Sequence, residues 1–253
     1  MNLDLLIPYI YCELLLVVVY FEFYLNYTTK PIHYYLPDQK QKSADEKFGW
    51  IAIKLVLIIS FIFLLQNLFP TQTNKFVLKS SEVLYQPWTL ITYVFMHGSF
   101  SHLYSNMFAL ALFGSILEKV IGEKNFLKVF LLTGIFSGFF GIFFYNSLIG
   151  ASGSIFGIMG VLAILRPKLI VWVLGAPMPM AIAIIVYAAL DLGGIFYPTN
   201  VANIGHLSAL SLGISIGLAW RKKYEIKEPK KEKRIEISEA EIREWEKKYM
   251  NRK

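Results

Sequence analysis

Runs of about twenty apolar residues recur along this chain and limit what it can fold into. A helix of about that length spans the hydrocarbon core of a bilayer, where every backbone N–H and C=O must be bonded within the protein. The runs cover about residues 5–25, 48–69, 101–117, 126–145, 151–165, 169–190 and 202–220. The pattern predicts an all-α polytopic membrane protein with about seven spanning helices.

The composition agrees with membrane insertion. Hydrophobic residues make up 55% of the chain and charged residues 17%. The formal net charge of +7 is concentrated in a few segments. Such clustering indicates a topology signal, and we expect no nucleic-acid partner. The single cysteine, Cys12, can form no intrachain disulfide.

The same pattern divides the chain into four parts. We predict an extra N-terminal transmembrane helix at 1–27, a cytosolic linker at 28–47, a six-helix core at 48–220 and a charged cytosolic tail at 221–253. Lys and Arg are dense in the linker and the tail, and the positive-inside rule therefore places both in the cytosol. The turn that precedes residue 150 then lies on the outer side of the membrane.

The connecting segments carry their own expectations. Residues 70–99 mix polar and aromatic side chains, and we expect them to lie in the membrane interface. Pro177 and Pro179 are expected to kink the early part of the sixth span, which a glycine-rich loop follows at 191–200. In the tail, the residues from Ser238 to Glu241 fit a capping box and predict a short amphipathic helix.

A serine stands at the start of the fifth apolar run, in Gly150-Ala151-Ser152-Gly153. The N-terminus of a helix gathers unpaired backbone N–H groups and the positive end of the helix dipole, which suits a developing oxyanion. Gly153 and Gly157 leave one side of this helix bare, so a neighbouring backbone can approach closely. A serine used only in packing is the alternative interpretation.

His206 is the predicted partner of Ser152. It lies about one turn into the last span, which begins on the same outer side as Ser152. The last span also carries small residues at every fourth position, here called the small-residue seam: Gly205, Ala209, Gly213 and Gly217. Two bare helix faces at equal depth allow the imidazole to bond the hydroxyl. We interpret Ser152 as a nucleophile and His206 as its base; a purely structural histidine is the alternative.

His102 and Asn106 form a second polar site. They are four residues apart and therefore share a face near the outer end of the third span. Their N–H donors can bind an oxyanion together with the backbone N–H of Ser152. Zinc binding with His97 is the rival interpretation, but histidines without a carboxylate or thiolate make a poor zinc set. We predict no metal and no cofactor.

Taken together, these motifs resemble those of the rhomboid intramembrane serine proteases, over about residues 48–220. The similarity rests on His97-x4-His102-x3-Asn106, on Gly150-Ala151-Ser152-Gly153, and on Gly205-His206 followed by the small-residue seam. It implies a rhomboid-like six-helix core, a Ser152–His206 dyad and an oxyanion site of His102, Asn106 and the Ser152 N–H. It also implies supporting positions for His97, Gly150, Gly153, Phe156 and Gly205.

The resemblance further implies a membrane-embedded first loop, and a mobile helix at 169–190 with a cap loop at 191–200 that admit substrate from the bilayer. Thr89, Phe156 and Ala209 depart from the residues that the family often has, namely arginine, tyrosine and glycine. None of these departures removes a catalytic group. We expect no acidic third member, because Asp191 falls in the predicted cap loop.

The sequence therefore predicts a serine endopeptidase that cleaves single-pass transmembrane proteins in the bilayer through an acyl-enzyme, with its active site opening to the outer side. A rhomboid-like pseudoprotease that binds and escorts membrane clients is the first alternative. A transporter is the second, although the chain lacks paired interrupted helices in matching halves.

Overall fold

The computed structural model describes residues 50–173, 175–196, 201–224 and 239–250. The described chain forms two units, one of residues 50–224 and one that consists of the tail helix. The predicted N-terminal span and its linker lie outside the described residues. All the predicted site residues belong to the first unit.

Helices dominate the first unit. In chain order they are α1 (Ile51–Leu68), α2 (Pro70–Thr73), α3 (Thr89–Thr92), α4 (Phe100–Ala109), α5 (Ser115–Ile121), α6 (Glu123–Gly141), α7 (Ser152–Leu165), α8 (Met180–Ile195) and α9 (Asn203–Trp220). A π-helical segment, Leu110–Gly114, joins α4 to α5, so Phe100–Ile121 runs as one helix. Within the described residues, this helix and α1 are long and apolar enough to cross a bilayer, and α7 and α8 are shorter apolar helices. These features fit a helical membrane protein.

The helix α7 lies at the centre of the unit. Eleven of its fourteen residues are buried, and it packs mainly between α6 and α9. A Cβ atom on Gly213 would collide with the carbonyl oxygen of Gly157, and one on Gly157 would collide with Thr133 of α6. Gly213 and Gly217 of the small-residue seam therefore lie where α9 meets α7.

A buried carboxylate fixes the start of α1. The two oxygens of Glu118, on α5, each accept a hydrogen bond at 2.9 Å, from the backbone N–H groups of Ile51 and Ala52. These N–H groups belong to the first turn of a helix and have no partner within it. Negative charge also suits the positive end of the helix dipole, so Glu118 ties α1 to the rest of the bundle.

A short antiparallel pairing connects the segment after α2 to the segment before α7. The strand β1 (Leu78–Lys79) pairs with β2 (Ser147–Leu148), with Leu78 opposite Leu148. Both leucines are buried. Residues 70–99 are thereby bound to the chain that leads into Ser152.

The prediction for the early part of the sixth span is wrong. A hairpin of β3 (Ile170–Val173) and β4 (Ala176–Pro179) replaces it, and α8 begins only at Met180. Gly175 has a φ of +80°, which favours glycine, and lies in the turn. Pro179 has an extended ψ and precedes the helix, so the prolines end an edge strand and do not kink a helix.

The cap loop also begins later than predicted. The helix α8 continues to Ile195, so Asp191 is a helical residue and not a loop residue. In the second unit, α10 (Glu239–Tyr249) confirms the amphipathic helix expected in the tail. Its Ile242, Trp245 and Tyr249 recur on one face at helical spacing.

Candidate active site

Ser152 and His206 are in contact. Ser152 is the first residue of α7, and the Nε2 atom of His206, in the first turns of α9, lies 2.7 Å from the Oγ atom of Ser152. His206 is only 8% exposed. With its proton on Nδ1, the imidazole can accept the serine proton at Nε2. The structure thus brings together the two residues that the sequence pairs.

One serine of α6 explains why the two groups lie at the same depth. Ser137 lies against Gly153, the neighbour of Ser152, and against Gly205, the neighbour of His206. A Cβ atom on Gly205 would lie 2.9 Å from the Oγ atom of Ser137, and one on Gly153 would collide with the same side chain. The two predicted supporting glycines therefore let α7 and α9 approach α6 at one level. Sequence reasoning missed Ser137, which nothing in the local pattern distinguishes from other buried serines.

Gly150 is required on two grounds. Its φ is +114°, in the region that favours glycine, and a Cβ atom on it would lie 2.6 Å from Cε1 of His102. Its backbone N–H donates to the carbonyl oxygen of Tyr93 at 3.0 Å. The backbone before Ser152 therefore runs directly against the imidazole of His102.

His102 and Asn106 lie on one face of α4, as the spacing predicts. The Nδ2 atom of Asn106 donates to the carbonyl oxygen of His102 at 2.7 Å, and Asn106 is buried. This bond fixes the orientation of the amide and leaves it one further N–H donor. The structure places the ring of His102 beside Gly150, two residues before Ser152.

His97 lies behind His102. The two rings meet edge to face with their centroids 5.0 Å apart, and His97 is buried. The side chain of Gln66 on α1 bonds both backbone groups of His97, since Oε1 accepts from its N–H at 3.0 Å and Nε2 donates to its C=O at 3.2 Å. Burial, with a smaller contribution from His102, lowers the pKa of His97 to about 3. The sequence motif includes His97 but gives no sign of Gln66.

Phe156 supports the ring of His206. The two rings are stacked, with centroids 4.3 Å apart and an angle of 12° between their planes. Tyr187 of α8 meets Phe156 edge-on at 6.0 Å. The ring of Phe156 therefore lies against His206, at the position that the resemblance implies.

The expectation that no acidic residue stands behind His206 is wrong. The Oδ1 atom of Asp191 lies 3.2 Å from Nδ1 of His206, and both side chains are buried. The sequence held a signal for this contact, because Ala183, Tyr187 and Asp191 are spaced by four residues on α8 and therefore share a face. A cap loop that begins at Asp191, as predicted, would hide this signal, whereas the helix continues to Ile195.

The fold and the site define a class: a helical membrane protein in which the N-terminus of a buried helix presents a serine to a buried histidine. A family model for the Rhomboid domain matches residues 85–223, and the chain belongs to the rhomboid family.

Among similar proteins are two of Bacillus subtilis. The chain is 34% identical to the Rhomboid protease GluP over 128 residues. This aligned region covers 49% of this chain and 24% of that protein. It is 40% identical to the Putative rhomboid protease YdcA over 78 residues, and this aligned region covers 29% of this chain and 39% of that protein. Rhomboid protein 1, mitochondrial, of Saccharomyces cerevisiae is 28% identical over 114 residues, covering 41% and 33% of the two chains. The matched regions span less than half the length of each of these relatives.

Proposed function

We propose that the protein is an intramembrane serine endopeptidase in which Ser152 is the nucleophile and His206 is the base. The observation that carries the proposal is the distance of 2.7 Å between the Oγ atom of Ser152 and Nε2 of His206, at the N-terminus of a buried helix. A base within hydrogen-bond reach is what makes a serine hydroxyl nucleophilic. Similarity to proteins named rhomboid proteases supports the same activity.

The chemistry follows from these atoms. The Oγ atom of Ser152 attacks the carbonyl carbon of the scissile peptide bond while its proton passes to Nε2 of His206. The tetrahedral intermediate collapses when the C–N bond breaks and His206 returns the proton to the leaving amine. Water then attacks the acyl carbon while the same imidazole takes its proton. The bond from the acyl carbon to Oγ breaks, His206 returns the proton to Ser152, and the acid is released.

The oxyanion of the intermediate needs donors on the side of the carbonyl oxygen. The backbone N–H of Ser152 has no partner within α7, since it lies in the first turn. We assign the remaining donors to the His102 ring and to the free N–H of the Asn106 amide. The proximity of His102 to Gly150 supports this assignment.

The substrate that fits this site is a transmembrane helix, with a single-pass membrane protein as the simplest source. A peptide bond within a helix is shielded by its own hydrogen bonds, so the helix must open locally where it meets Ser152. We propose that the rhomboid-like six-helix core is formed by residues 48–220. The extra helix at 1–27, the linker at 28–47 and the cytosolic tail at 221–253 flank it, with the site opening to the outer side.

The test is covalent labelling of purified protein in detergent micelles. A fluorophosphonate probe is expected to label the wild type, and Ser152→Ala and His206→Ala are expected to abolish both labelling and cleavage of a single-pass test substrate. Ser211→Ala is the matched control, because Ser211 is an exposed serine of α9 that bonds the carbonyl oxygen of Ser208. This variant should label like the wild type.

The alternative, a pseudoprotease that escorts membrane clients, has its own result in this assay. Folded wild-type protein that neither labels nor cleaves any of a panel of single-pass proteins, yet co-purifies with them, contradicts the protease and supports the escort.

A further inference from the structure

A carboxylate occupies the far side of the proposed base. The two ring nitrogens of the His206 imidazole face different side chains. Nε2 faces Ser152 at 2.7 Å, and Nδ1 faces the Oδ1 atom of Asp191 at 3.2 Å. The exposed fractions of the side chains of His206 and Asp191 are 10% and 8%, so the contact is screened little by solvent. The three side chains form a line from a hydroxyl to a carboxylate.

We infer that Asp191 is a positioning residue for the proposed serine protease reaction: it holds His206 in the tautomer and orientation that accept the Ser152 proton. The inference rests on the proposed function. It adds to the Ser152–His206 pair a third group that does not touch the substrate and acts only through the imidazole.

The carboxylate of Asp191 selects the tautomer of His206. Nε2 can take the serine proton only when the neutral ring carries its proton on Nδ1. An ionised carboxylate accepts hydrogen bonds and donates none, so its position beside Nδ1 favours this tautomer over the other. Without Asp191, both ring nitrogens compete for the single proton.

The carboxylate of Asp191 also balances the charge that forms on His206. When the serine proton moves to Nε2, the buried ring becomes a cation, and a buried cation is costly unless it is paired. A carboxylate at Asp191 supplies the paired charge, and its hydrogen bond from Nδ1–H restricts the orientation of the ring. No proton moves to Asp191 in this scheme.

The position of Asp191 on α8 also favours a role at His206. Most of α8 faces outward, and its buried residues are Met180, Ala183 and Asp191. Tyr187, one turn before Asp191, contacts the Phe156 ring on which His206 is stacked. The helix α8 thus contacts His206 directly through Asp191. It also contacts it indirectly, because Tyr187 packs against the Phe156 ring on which His206 is stacked.

The experiment compares Asp191→Asn, Asp191→Glu and the wild type in detergent with a single-pass test substrate. Asp191→Asn keeps the shape and removes the charge. We expect its kcat to fall about ten- to a hundredfold with KM within about twofold, a smaller loss than the roughly 10⁴-fold seen where a tight triad loses its carboxylate. Asp191→Glu keeps the charge and should recover part of kcat.

Tyr145→Phe is the matched control. The hydroxyl of Tyr145 accepts a hydrogen bond at 3.1 Å from the backbone N–H of Ile204, so this variant also removes one tie to the start of α9. It should lower the melting temperature without a selective loss of kcat. If Asp191→Asn behaves in the same way, with kcat preserved below its melting temperature, Asp191 is only a structural tie and the inference is wrong.

A second measurement does not depend on the Asp191 variants folding. In wild-type protein labelled with ¹⁵N-histidine, the resonances lost in His206→Ala should report a ring protonated on Nδ1. A ring protonated mainly on Nε2 overturns the inference. Wild type that neither cleaves nor labels with a fluorophosphonate would instead refute the proposed function itself, so the two failures are distinguishable.

Discussion

The imidazole of His206 lies flat on the ring of Phe156, with the two planes only 12° apart. This contact closes one face of the histidine, and the contacts with Ser152 and Asp191 occupy its two nitrogen-bearing edges. A ring restricted in this way loses little orientational freedom when the serine proton is transferred. Under the proposed mechanism, Phe156 therefore acts on the orientation of His206 and takes no part in proton transfer.

Replacement of Phe156 by leucine should lower kcat and leave KM nearly unchanged. The flat surface under His206 is lost, and a misplacement of about 1 Å in a reacting group costs on the order of 10²-fold in rate. We expect a loss of about tenfold because the contacts with Ser152 and Asp191 remain. Steady-state cleavage of a single-pass test substrate measures the effect. Phe156→Tyr keeps the ring and is the control; an equal loss in both variants would argue against the role of the stacked face.

Gly213→Val should separate α9 from α7. Even a Cβ atom at this position would collide with the carbonyl oxygen of Gly157, so the helices must move apart and the Ser152–His206 distance must lengthen. We expect cleavage to fall on the order of 10²-fold. Gly193→Ala is the matched control, because a Cβ atom on Gly193 of α8 meets nothing within 4 Å. Wild-type cleavage by correctly inserted Gly213→Val would refute the seam as the determinant of the dyad distance.

Asn106→Ala should lower kcat more than it raises KM, because an oxyanion donor acts on charge that exists only in the transition state. Loss of one such donor typically costs 10²–10³-fold, and we expect about ten- to a hundredfold because the backbone N–H remains. Asn125→Ala tests the specificity of the effect. Asn125 makes the same kind of bond, to the carbonyl oxygen of Ile121 four residues earlier, but lies on α6 away from Ser152. A raised KM with unchanged kcat would reassign Asn106 to substrate contact.

Stability should depend on His97 in acid. Burial lowers the pKa of His97 to about 3, whereas a histidine in an unfolded chain titrates near 6.5. Between these two values the unfolded chain binds a proton that the folded protein does not, so the free energy of unfolding falls as the pH falls through this window. Melting temperatures of the wild type should therefore decrease from about pH 6.5 downwards.

The control for this dependence is His97→Phe, which keeps a ring and cannot titrate. Its melting temperature should vary less over the same pH range. Equal slopes for the two proteins would show that other groups cause the acid sensitivity.

The pairing of Ser152 with His206 could be predicted from the sequence because it depends on local features. Glycines at fixed spacing mark the bare helix faces, and the order of the apolar runs predicts that both helices begin on the same side. The hairpin at 170–179 could not be predicted in this way, since a short apolar run fits a strand as well as a buried helix. The same ambiguity displaced the start of α8, and with it the end of the helix that carries Asp191.

Contacts between distant segments are the other features that could not be predicted from the sequence. The pairing of Leu78 with Leu148 involves two-residue strands, which are too short for an alternating pattern to appear in the sequence. The clamp of Gln66 on His97 joins side chain and backbone 31 residues apart. Each depends on how α1 and the segment after it fold back, which no local propensity encodes.

The antiparallel pairing of β1 with β2 has a consequence for what can be cut. It holds Ser147 and Leu148, and the hydrogen bond from Gly150 to Tyr93 holds the chain two residues further on, so the segment that leads into Ser152, the proposed nucleophile, is tied down at two points. In the proposed reaction, the substrate helix must therefore bend to bring its peptide bond to Ser152. Transmembrane segments with glycine or proline near their outer end, which uncoil at little cost, should be cut in preference to uninterrupted leucine helices of the same length.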